Sequence, residues 1–221
     1  MGAGKDRQKV TEQYHLDVLR QGIDVWNQWR QEHHSIQPDF SGVDFRGAQL
    51  SRVNLSGARL NGADLSSADL KESLLIRADL SEAILSRTNL VRADLQGANL
   101  RAVILSNANL SDAILSDAIL SDADLSGAIL TGAEVTGTNF SGVDFSDADL
   151  TGIDFSRANT HGARLGKAYF SRRSATPLND NYRESLRADT PPEQGQQGNQ
   201  RVGIDAEDLD ERVHEDWAND E

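Results

Sequence analysis

The chain has 221 residues, no cysteine and a formal charge of −13, with 38% hydrophobic and 5% aromatic residues. Disulfides and thiolate metal sites are therefore excluded, and no apolar run approaches the ~18 residues a membrane span needs. So little apolar material is thin for a conventional core but sufficient for a fold built around a narrow column of small side chains.

Residues 1–10 are charged and lack an apolar stretch, so they read as neither secretory signal nor phosphate-binding loop, and they are expected to be disordered. The lack of cysteine fits a reducing cytoplasm, which is the expected location. Residues 11–30 read as one amphipathic helix, with Leu16, Leu19, Ile23 and Trp26 on one apolar face. Val18, Val25 and Trp29 widen that face, and Thr11 is the candidate N-cap. Residues 11–37 are expected to form a helical cap and link, with Trp26 or Trp29 over Phe40 and Phe45. A partner-binding helix is the rival reading.

From Phe40 to Phe170 every fifth residue follows one rule: of 27 positions, 19 are Leu, six are Phe, and the others are Val135 and Thr160. The column two residues earlier, Pro38 to Ala168, holds 18 Ala. A period of five matches neither helix nor ordinary strand. It fits a chain that turns a corner every five residues, so that four corners close a coil of 20 and coils stack at about 4.8 Å. Ser, Thr, Gly, Asp and Asn fill the outer columns as turn residues, Gly for positive φ. The pattern weakens at Thr160, and Tyr169, Arg172 and Arg173 mark the exit.

Ala63-Asp64-Leu65-Ser66-Ser67, Ala78-Asp79-Leu80-Ser81-Glu82 and Ala98-Asn99-Leu100-Arg101-Ala102 resemble the A(D/N)LXX motif of the pentapeptide-repeat family, over residues 38–172. The stretch from His15-Leu16 through Gly22, Trp26-Asn27 and Trp29-Arg30 to Pro38-Asp39 resembles the leader of bacterial members. The resemblance implies an all-β solenoid, a right-handed quadrilateral parallel β-helix, here of about seven coils. An N-terminal helical cap would precede it and an acidic tail would follow.

Residues 173–221 carry 13 acids and five bases and include Pro191-Pro192, and they are expected to be a disordered acidic tail. Leu209, Val213 and Trp217 recur at spacing four within 205–218, a candidate short helix that forms on a partner.

No catalytic, cofactor or metal site is expected. His15, His33, His34, His161 and His214 lack a second ligand at metal-site spacing, and each reads as solvated. Ser and Asp recur as turn chemistry, so no triad stands out. The expected activity is non-catalytic protein binding. The candidate surface comprises Ile84, Ile104, Ile114, Ile119 and Ile129, aliphatics in an outward column that also holds Leu74, with Asp112, Asp117, Asp122 and Asp124. Stacked charges such as Arg52, Glu72, Arg92 and Asp112, or Asp39, Arg59 and Asp79, are expected to form ladders that support register. Residues 102–156 hold nine acids and no base. Some family members resist gyrase-targeting drugs by resembling DNA, so a DNA-mimic modulator of DNA gyrase is the alternative. Against it, residues 38–172 carry only 17 acids to 12 bases. A third reading is a structural rod without a specific partner. Neither direct nucleic-acid binding nor membrane association is expected.

Overall fold

The computed structural model describes residues 13–170. Parallel bridges join residues 20 apart, from Asp39 with Arg59 to Asp149 with Tyr169. Four five-residue repeats therefore make one coil.

One repeat shows why the chain folds this way. The amide of Leu65 donates to the Ile84 carbonyl one coil on (2.7 Å), and that of Ser67 donates to Ser86 (2.9 Å). The Asp64 amide reaches back to Val43 (3.0 Å), and the Ala68 amide closes a turn onto Leu65 (3.0 Å). The fifth amide, of Ser66, donates to Oδ1 of Asp64 (3.0 Å). All five N–H groups are thus satisfied, as buried or half-buried backbone requires, and the preference for Asp or Asn before the Leu is explained. The residue two after the Leu takes positive φ, as the third position of a type II turn requires. Eleven glycines hold that position, and so do fourteen non-glycine residues from Arg52 to Lys167.

The Leu and Ala columns form one continuous core, with Leu55 through Leu130 fully buried. Thr88 and Thr138 enter the small column without an orphaned hydroxyl, because each donates to a backbone carbonyl at 2.8 Å (Leu65 and Leu115). Aromatic rings collect at both ends: Phe40 with Phe45 at 5.6 Å, and Phe140, Phe145 and Phe155 between 5.2 and 6.1 Å of one another.

The backbone departs from its pattern at 154–158, before the sequence irregularity at Thr160. Among the described residues no bridge joins Glu134 to Asp154, and the Gly137 amide reaches Arg157 (3.0 Å) where the repeat points to Ser156. The distortion lies where Phe155 joins the other two rings. Thr160 itself stays buried, in the same column as Phe140 one coil earlier.

The N-terminal segment is not one helix over 11–30. Helical conformation covers 13–19 (α1), and a second helix (α2) covers Ile23–Glu32. Gly22 breaks them with φ 121°, a conformation open to glycine and strained for other residues. Val18 and Leu19 of α1 and Trp26 and Trp29 of α2 are buried, whereas Val25 is exposed. Thr11 lies outside the described residues.

The segment meets the open edge of the first coil with matched polar groups. Trp26 Nε1 donates to the Asn54 carbonyl (2.8 Å), and Asn27 exchanges bonds with the Arg52 carbonyl and the Asn54 amide (2.9 and 2.8 Å). Arg30 donates to Ile36 (2.7 Å) and Ser56 (2.9 Å). An exposed strand edge would otherwise present the Arg52, Asn54 and Ser56 carbonyls unpaired. His15 is also here, buried rather than solvated. It stacks edge-on against Trp29 and Phe40 at 5.4 and 6.2 Å, and its Nδ1 accepts from the Asp39 amide at 3.4 Å.

Candidate interaction surface

The bridges sort the outward column onto four faces. The first face runs from Asp39 and contains Ile119, and the second runs from Asp44 and contains Ile84 and Ile104. The third runs from Gln49 and contains Ile129, while the fourth runs from Asn54 and contains Leu74 and Ile114 with Asp94 between them. The candidate aliphatics are therefore not one patch. A count of 26 residues along the chain passes all four faces, so nearness in sequence scatters them around the rod. Only Ile84 and Ile104 stack as neighbours.

The second face continues in register from Ile84 and Ile104 to Asp124 and Asp144. Ile104 is 39% exposed. Each Ile also forgoes a bond: it has no side-chain oxygen for the amide two residues on, which Asp64 and Asp124 supply in their own repeats. The Ser86 and Ser106 hydroxyls pair with each other instead, at 3.0 Å. A lost turn hydrogen bond costs about 1 kcal/mol, and these two positions expose apolar surface as well.

Charge on this face is uneven. At its N-terminal end Arg46 pairs with Asp44 (2.6 Å) and Asp64 (3.7 Å), and its hydrogen bond holds the Asp44 carboxyl down to about 2. At the far end Arg164 pairs with Asp144 at 2.8 Å. Burial pushes the Asp144 carboxyl up, but bonds from Ser146 and Arg164 outweigh it and leave the group below its usual range. Asp124 accepts from the Ser126 amide (2.9 Å) and has no basic partner among the described residues. Among the described residues, the one basic contact of Asp122 at the adjoining corner is a long one with Arg101, 3.9 Å.

Asp112, Asp117 and Asp122 occupy successive corners at φ 57°, 60° and 62°. They form a belt around the rod rather than a line along it, and Asn107 extends the belt by one corner. Each is followed one coil on by a glycine: Gly132, Gly137, Gly142 and, under Asn107, Gly127. Of the charge ladders, Arg52–Glu72 closes at 2.8 Å, Arg92–Asp112 at 3.7 Å and Arg59–Asp39 at 3.5 Å. All three are exposed at the arginine and modest in energy.

His33 stacks on Trp29 at 4.8 Å, and His161 sits in an exposed turn. Leu209, Val213 and Trp217 lie outside the described residues, as does His214. Among the described residues no His, Asp and Glu cluster could hold a metal ion, and no helix is long and apolar enough to cross a membrane. Sequence reasoning missed His15 as a buried acceptor and the edge bonds of Asn27 and Arg30. His15 shares a helical face with Leu19, the one signal that could have found it.

A rod of stacked five-residue turns, with an unbroken inner column and flat outer faces, defines a β-helical solenoid. The chain belongs to the pentapeptide repeat family, whose sequence profile matches it in eight copies between residues 39 and 172. Members of that family fold as right-handed quadrilateral β-helices. The chain is similar to Rfr23, a pentapeptide repeat protein of the cyanobacterium Cyanothece 51142, at 31% identity and a TM-score of 0.50, over 55% of this chain and 95% of that one. It is also similar to HetL, from the cyanobacterium Nostoc sp. strain PCC 7120 and involved in heterocyst differentiation regulation, at 31% identity and a TM-score of 0.36, over 59% and 71% of the two chains. QnrB1, a plasmid-mediated fluoroquinolone resistance protein, matches at 24% identity and a TM-score of 0.33, over 63% of this chain and 84% of its own. No curated protein matches the chain.

Proposed function

We propose that this protein is a non-catalytic binding solenoid that docks a protein partner on its second face, along Ile84, Ile104 and Asp124. The stacking of Ile84 on Ile104 carries the reading. Two neighbouring repeats give up the side-chain oxygen that closes their turns and present apolar surface instead, beside a carboxylate with no basic partner among the described residues. Apolar surface bordered by charge is typical of protein interfaces. The remaining candidates, Ile114, Ile119 and Ile129, contribute to other faces and are not part of this surface.

The test is affinity capture with the full chain and two folded variants. Ile104→Lys should release the partner, while Ile129→Lys, the same change on the third face, should retain it. A partner held equally by both variants would refute docking on the second face, and capture of no partner by any form would favour a structural rod.

The acid-only block at 102–156 supports a second reading, DNA-mimic modulation of DNA gyrase. It predicts altered supercoiling that Asp112→Asn, Asp117→Asn and Asp122→Asn together reverse. The belt geometry supports this less well, because a DNA-like charge array follows the long axis and these three carboxylates encircle it.

A further inference from the structure

We propose that the partner element seated on the second face is a cationic amphipathic helix lying along the rod axis. The inference rests on the docking reading above and adds the form and chemistry of the occupant.

Spacing comes first. Ile84, Ile104, Asp124 and Asp144 follow one another through successive bridges, so their backbones repeat at about 4.8 Å. A helix presents side chains at i, i+3 or i+4, and i+7 along one face, with a pitch of about 5.4 Å. The mismatch is about 0.6 Å per step, or about 2 Å over the three steps between the four positions. An extended strand presents alternate residues about 6.7 Å apart, and it would be out of step by nearly 6 Å over the same span, about one whole coil. A helix can therefore place a side chain opposite each of the four, and a strand cannot.

Charge selects the chemistry. The first two positions are apolar and the third is Asp124, without a basic partner among the described residues. Asp122 flanks it at one corner and Asp147 follows at the other, both exposed. Ala102 before Ile104 and Gly127 after Asp124 each leave one corner position of the face without a long side chain, while Arg101 beside Ala102 leans along the edge toward Asp122 at 3.9 Å. The complementary helix carries two apolar residues one turn apart, followed by Lys or Arg in the next two turns. An anionic lipid surface or a nucleic acid would meet these carboxylates unfavourably.

The experiment uses the full chain and two labelled peptides of equal length with the same Leu and Lys content, read by fluorescence anisotropy at low salt. One peptide, about four turns long or about 15 residues, is held helical by a side-chain lactam and carries Leu at i and i+4 and Lys at i+7 and i+11. The other places the same residues at alternate positions and contains proline in place of the lactam. The helical peptide should bind at least about tenfold more tightly, and Ile104→Lys and Asp124→Asn should each weaken it while Ile129→Lys does not. If the extended peptide binds equally well and still depends on Ile104, the docking face stands and the helical occupant is overturned. If neither peptide shows dependence on Ile104, both the occupant and the docking face are overturned.

Discussion

Oδ1 of Asp112 lies 2.6 Å from the point where Gly132, one coil further on, would carry a Cβ. Gly132 also has φ 74°, so it is glycine for two separate reasons, conformation and space. Gly62 has a similar φ of 66° but, among the described residues, nothing within 4 Å of its notional Cβ. Gly62→Ala should cost about 1 kcal/mol, the left-handed penalty alone. Gly132→Ala should cost more, because the Asp112 carboxylate must swing from its contact with Arg92. Urea denaturation of both variants measures the difference, and adding Asp112→Ala to Gly132→Ala should recover the excess. Equal costs at the two glycines would show that the carboxylate moves freely.

Ser73 sits in the small inner column, fully buried, and its hydroxyl has no partner among the described residues. Thr88, in the same column, donates to the Leu65 carbonyl. Ser73→Ala should therefore stabilise the rod by about 1 kcal/mol, since it removes a desolvated and unpaired polar group. Thr88→Ala should act in the opposite direction by at least as much. Denaturation midpoints give the sign of each, and a destabilised Ser73→Ala would mean that the hydroxyl finds a bound water.

Trp26 is fully buried, lies 5.4 Å from Phe40 and bonds the Asn54 carbonyl. Trp26→Phe should keep most of the packing and cost about 1 kcal/mol for the lost bond. Trp26→Ala should cost about 3–5 kcal/mol and open the first coil. Amide exchange in the first two coils should then accelerate ahead of exchange in the middle of the rod.

Burial of His15 holds its imidazole below the ordinary 6.5, with Arg30 acting in the same direction and Asp39 opposing. The docked segment therefore binds fewer protons than the undocked one. Docking is at full strength above pH 6.5 and weakens as pH falls through the lower value of the folded state. Fluorescence of Trp26 and Trp29 against pH should show this loss, and His15→Gln should remove that dependence. A wild-type signal unchanged below pH 6.5 would refute the coupling.

Much of the rod is legible without coordinates. The inner columns, their unbroken register and the stacking of residues 20 apart all follow from counting in fives, since each repeat makes the same turn and a slip would move every Leu outward. Ile84 beside Ile104, and Leu74 sharing a face with Ile114, are read in this way. The wider patch is not, because five aliphatics close in sequence fall on all four faces of the coil.

The ends of the rod depend on tertiary structure. Apolar spacing at 16, 19, 23 and 26 is consistent with one helix, and only packing against the first coil decides that Gly22 breaks it. His15 reads as a solvated histidine until Trp29 and Phe40 enclose it. Thr160 looks like the irregular point, yet the backbone distorts at 154–158, where three phenylalanine rings meet. Within the repeats each residue meets the same neighbours at a fixed sequence interval, so local pattern and tertiary contact carry the same information. At the ends that interval no longer applies, and contacts between distant, non-repeating residues set the structure.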